Sequence, residues 1–86
     1  MSTIEKIWLT ADAIWILTAD GKEACEYFAD YPRLKYATPE QRANFQADAF
    51  GISWPDLDED LSFGGIFYEA GLCDSTDCEA SFLYEG

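Results

Sequence analysis

The stretch WPDLDEDLS, residues 54–62, sets Asp56, Asp58, Glu59 and Asp60 close together with no base among them. Oxygen ligands at this density invite a calcium reading, because Asp56, Asp58 and Asp60 take positions 1, 3 and 5 of an EF-hand loop. Position 6 should then be the glycine of a sharp turn and position 12 a bidentate glutamate, yet the chain has Leu61 and Phe67 there. A catalytic carboxylate pair needs environments that push two acidities apart, with one group in an apolar pocket, whereas three consecutive acids at 58–60 belong in solvent. The chain has no histidine, and Cys25, Cys73 and Cys78 are not flanked by bases, so general-base and nucleophilic chemistry lack their usual agents. Cys73 and Cys78 bracket DSTD, but without histidine or a second cysteine pair they cannot complete a tetrahedral zinc site. Gly64-Gly65 is not followed by the lysine of a phosphate loop. No catalytic residue, metal ligand or cofactor site is nominated, and the expectation is a non-enzymatic protein.

The charge balance directs attention to binding. Seventeen acids oppose five bases, a net charge of −12. Residues 1–42 hold seven acids and all five bases, while residues 43–86 hold ten acids and no Lys or Arg. Affinity for nucleic acid rests on cations that displace counterions from phosphates, and the second half can displace none. It should repel DNA and attract a small basic protein. Arg33, Lys35 and Arg42 place three of the five bases within ten residues, the one patch from which a nucleic-acid-linked regulator could work once a partner had neutralised the acids.

A chain of 86 residues, 49% hydrophobic and 16% aromatic, is one folded domain with a single small core. So many rings cannot all be buried, which leaves a ligand cleft or a homodimer face as further readings. No run approaches the ~18 apolar residues of a membrane span. MSTIEKIWLT lacks the basic-then-apolar layout of a signal peptide, so the cytoplasm, with reduced thiols, is the expected location.

The elements that must position these groups read as α+β: a small antiparallel sheet of three to five strands on one main helix. Ile4–Leu9, Ala13–Thr18 and Lys22–Phe28 form a meander, with Asp20-Gly21 as the central pair of a type I′ hairpin turn. Alternation puts Ala24, Glu26 and Phe28 on one face of the third strand, and Cys25 is expected as a small buried group. Thr38-Pro39-Glu40-Gln41 is a helix start with a capping box. Ala43, Ala47 and Phe50 then predict one helix over about 39–50, closed by a left-handed Gly51. After the acidic loop, residues 62–68 read as a strand whose glycines mark a bulge. Residues 1–67 form the domain and 68–86 an acidic and aromatic extension, of which 79–84 is expected as an edge strand, on its own sheet or across a dimer.

Several landmarks carry a resemblance. Asp20-Gly21, Tyr31-Pro32 with Leu34, Ala37-Thr38-Pro39-Glu40-Gln41-Arg42, Phe45, Gly51-Ile52, Trp54-Pro55, the run Leu57–Ser62 and Gly65 occur in an order that resembles the bacterial domain of unknown function 2442 family, over residues 4–67. The resemblance implies a small cytosolic α+β domain with no assigned enzymatic activity. Members are often encoded beside another small protein in pairs that look like toxin–antitoxin modules, and some carry a fused helix-turn-helix that nothing here matches.

The expected function is thus a protein-binding module, most concretely the acidic, neutralising member of a toxin–antitoxin pair. Its partner-facing residues are expected to be Trp54, Asp56, Asp58, Glu59 and Asp60, on a loop stiffened by Pro55 and anchored by Ile52, Leu57 and Leu61, together with Phe82 and Tyr84 near the chain end.

Overall fold

The computed structural model describes residues 2–71 and 82–84; Cys73 and Cys78 lie outside them. The meander forms as its alternation dictates. Strands β1 (Ser2–Leu9), β2 (Ala13–Thr18) and β3 (Glu23–Tyr27) pair antiparallel, with Ile7 opposite Ile16 and Ile16 opposite Ala24. A register shift between Ile4 and Lys6 lets Ile4, Ile7 and Leu9 share the core face. The β2–β3 turn differs from the type I′ expectation. It is centred on Ala19 and Asp20, closed by Gly21 N–H to the Thr18 carbonyl at 3.0 Å, and the left-handed residue is Gly21 alone (φ 93°). The Thr18 hydroxyl donates to the Asp20 carboxylate, which favours its ionised form and lowers its pKa.

Beyond β3, a 3-10 turn (Phe28–Asp30) leads into α1 (Pro32–Lys35), whose Leu34 is fully buried. Helix α2 begins as the sequence predicts, with Thr38 accepting from Gln41 N–H and Gln41 accepting from Thr38 N–H, but it spans only Pro39–Ala43. The 39–50 helix is therefore corrected. Phe45, Ala47 and Ala49 are partly buried and the residues between them exposed, a period of two rather than 3.6, and Phe50 is 61% exposed. Asn44 ends the helix, and β4 (Gln46–Ala47) turns back onto β5 (Gly51–Trp54). Asp48 closes that turn by accepting from Phe50 and Gly51 N–H. Gly51 is not a helix cap: a Cβ there would sit 2.4 Å from the Leu61 carbonyl oxygen, so glycine is required by the close approach of two strands.

A second 3-10 turn (Pro55–Leu57) and Asp58 in the left-handed region (φ 52°) connect β5 to β6 (Glu59–Ser62), its antiparallel neighbour. The expected strand after Ser62 is instead helix α3 (Phe63–Glu69). Ser62 caps it by accepting from Gly65 N–H at 3.0 Å, and Phe63, Ile66 and Phe67, at i, i+3 and i+4, all face inward. Gly71, left-handed at φ 76°, follows its last turn. The 67/68 boundary thus falls within one helix. Strand β7 (Phe82–Tyr84) lies parallel to β1, giving sheet orders β3-β2-β1-β7 and β4-β5-β6.

The fold class is α+β. One core joins the two sheets: Ile4, Ile14 and Ile16 from the first and Ile52, Trp54 and Leu61 from the second close on Phe28, Leu34, Phe63, Ile66 and Phe67. Cys25 is not part of it; it lies on the outer face of β3, partly buried beside Trp15. Among the described residues, no helix is long and apolar enough to cross a membrane.

Candidate functional site

The acidic loop is built from beneath. Trp54 is 0% exposed, its indole N–H donates to the Arg42 carbonyl at 2.9 Å, and Phe45 tilts against its ring at 6.3 Å. Trp54 therefore anchors the loop from inside and faces no partner, which corrects its place among the recognition residues. Leu57 packs against the core from the turn, while Asp56, Asp58 and Asp60 are exposed and Glu59 is partly buried. The loop is also held from outside. Asn44 donates to the Asp56 carboxylate at 2.6 Å, Arg33 donates to the Asp58 backbone carbonyl at 2.7 Å, and Glu59 accepts from Asp60 N–H at 3.1 Å. The carboxylates of Asp56 and Asp58 are thus displayed by a fixed backbone.

Asp60 has a second role. It joins Glu26, Tyr31 and Glu69 around a cavity of about 330 Å³ between β3, β6 and α3, further lined by Leu61, Ser62, Gly65 and Ile66. No Lys or Arg lines it. Glu26 is only 7% exposed, because its strand alternates Ala24, Glu26 and Phe28 toward the core. Burial, then the hydrogen bond and charge of Glu69, push the Glu26 carboxyl up to about 7, against a partly offsetting hydrogen bond from Tyr31. The Tyr31 hydroxyl donates to Glu26 at 3.2 Å, and its own acidity is suppressed far beyond the usual phenol range by burial and by Glu26 and Glu69. Glu26 can therefore exchange a proton near neutrality, and a cation entering the cavity would meet three carboxyl groups.

Sequence reasoning missed Glu26, Tyr31 and Glu69 as members of this site. The signal was a carboxylate on the apolar face of β3, already placed there by alternation; what hid its meaning was α3, which brings Glu69 over it. Among the described residues, no three His, Cys, Asp or Glu side chains are grouped to hold a metal ion. Phe82 and Tyr84 sit on β7, beside β1 and apart from the acidic loop.

The basic patch is largely consumed by the fold. Arg42 donates to the carbonyls of Leu34, Lys35 and Ala11 and lies over the Phe28 ring at 4.6 Å. With Arg33 on the Asp58 carbonyl, Lys35 is the member left toward solvent, its ammonium 5.4 Å from the Tyr36 ring. Lys35 and Arg42 also border a larger cleft of about 470 Å³, with Asp12, Asp30, Tyr27 and Phe28.

The family model described as "Protein of unknown function (DUF2442)" matches residues 4–71. No curated protein and no solved structure matches the chain.

Proposed function

The chain belongs to the DUF2442 family, and from that premise we propose that it is a non-enzymatic protein-binding module whose acidic face receives a small basic protein. The observation that carries this reading is the cavity lined by Glu26, Asp60 and Glu69 with no Lys or Arg in its lining, while Asp56 and Asp58 stand exposed on the turn that leads into β6. An Arg or Lys side chain of a partner would gain charge-assisted hydrogen bonds there, while the surrounding negative field would speed its approach. Neutralising a nuclease toxin by occupying the cations it uses on nucleic acid is the most concrete biological form of this role. The cytoplasm is its natural setting. The nucleic-acid regulator draws little support, because Arg33 and Arg42 spend their donors on backbone carbonyls.

Affinity capture of the tagged full chain from its native host should recover one small basic protein, released by raising salt. Its retention should fall with Asp60→Asn and Glu69→Gln while the fold is unchanged. Recovery of no such protein across several growth conditions, or equal retention by both variants, would overturn the reading.

A further inference from the structure

The outer face of the first sheet carries a second apolar cluster, separate from the core. Register places Trp8, Trp15 and Cys25 in one row across β1, β2 and β3, and Lys6, Leu17 and Glu23 in the next. The two indoles stack at 6.0 Å with planes 15° apart, and Tyr27, at the end of β3, is 53% exposed. None of Trp8, Trp15, Leu17, Cys25 or Tyr27 belongs to the core cluster. Solvent-side positions of a strand are ordinarily polar, and rings gathered on such a face mark a contact surface.

We propose that this face is a self-association surface, on which a second copy of the chain packs sheet to sheet about a two-fold axis running along β2. Charge selects that occupant. Two chains of net charge −12 repel over most of their surface, yet the two rows hold one cation, Lys6, and one anion, Glu23, with Glu5 at the bulge beside them. A two-fold along β2 exchanges the β1 and β3 sides, so Lys6 of one copy lies over Glu23 of the other, twice. The same rotation sets Trp15 against its own symmetry mate and Trp8 over Cys25, the self-complementary pattern that a two-fold interface requires. A basic protein has no such reason to choose this face, because the acids that would attract it lie around the cavity on the other side of the sheet.

The face is also small. The three strands that carry these rows, ~4.8 Å apart and about six residues long, present roughly 300 Å², less than half of the ~800 Å² per partner of a standard stable interface. The dimer is therefore weak and concentration-dependent. It leaves the acidic cavity open, so it is independent of the basic-partner reading.

Sedimentation of the purified full chain over about 1 to 500 μM should show the average mass rising from one chain toward two. Added salt should strengthen this association by screening the net repulsion, opposite to its effect on a basic partner. Trp15→Glu should remain at one chain throughout with an unchanged melting temperature, while Asp56→Asn should associate as the parent does. Should Trp15→Glu lose its fold, Lys6→Glu decides: it must weaken association at least several-fold, and Lys6→Glu with Glu23→Lys must restore it. A parent of constant single-chain mass overturns the proposal, as does a folded Trp15→Glu that dimerises normally or a charge exchange that restores nothing.

Discussion

Replacing Glu26 with glutamine should remove a loss of stability that the parent suffers as pH rises. The carboxyl titrates near 7 when folded and near 4.5 in its ordinary setting, so between those values the folded chain holds a proton that the unfolded chain has released. Stability from this group is complete below about 4.5 and is lost as pH rises through about 7. At ~1.36 kcal/mol per pH unit, the full span is worth about 3 kcal/mol, and water in the open cavity reduces that to about 2 between pH 5 and pH 8. The substituted amide would keep a neutral hydrogen-bonding group of the same length and release no proton. Urea unfolding of both proteins should give similar free energies near pH 5 and an advantage of about 2 kcal/mol for Glu26→Gln near pH 8. General repulsion in so acidic a chain also grows with pH, so exposed Glu40→Gln serves as the reference. A Glu26→Gln advantage that does not change with pH, or one matched by Glu40→Gln, would refute the reasoning.

Three other perturbations have worked expectations. Gly51→Ala should cost about 2–3 kcal/mol by thermal or urea unfolding, because its methyl would meet the Leu61 carbonyl oxygen at 2.4 Å, and backbone must move to admit it. Trp54→Phe should cost about 2 kcal/mol, since it removes the hydrogen bond to Arg42 and opens a void in the core; equal stability would mean the loop is anchored elsewhere. Asp58→Gly should raise stability by up to about 1 kcal/mol, because the left-handed backbone there favours glycine and Arg33 bonds the carbonyl rather than the carboxylate. A fall in melting temperature would show that the Asp58 side chain holds the turn.

The meander and the α2 capping box were legible because their signals are local: alternation over six residues, and a Thr and Gln three positions apart. The errors arise where local signals compete. Ala43, Ala47 and Phe50 fit a helical stripe, but Phe45, Ala47 and Ala49 fit a strand equally well. The decision came from pairing with Ile52 and Ser53, which periodicity does not see. In α3, two glycines argued against a helix, while Phe63, Ile66 and Phe67 had helical spacing and Ser62 stood ready as its cap. Burial of that apolar edge outweighed the cost of the glycines. The acidic loop was legible as a display of carboxylates, but its link to Glu26 and Glu69 depended on the packing of α3 over β3, a long-range fact.

Strand β7 pairs Ser2 with Phe82 across 80 positions of sequence, and β1 has β2 as its only other neighbour among the described residues. Such a contact forms late in folding, because closing so long a loop costs entropy before three residue pairs can return it. In the native protein it should also be among the first pairings to open, so β1 amides facing β7 should exchange with solvent faster than those facing β2. Each opening would leave unpaired donors and acceptors along the first residues of β1, a template for another extended chain. The join between the two distant segments thus guards against misassembly, and conditions that loosen it should promote aggregation before the core melts.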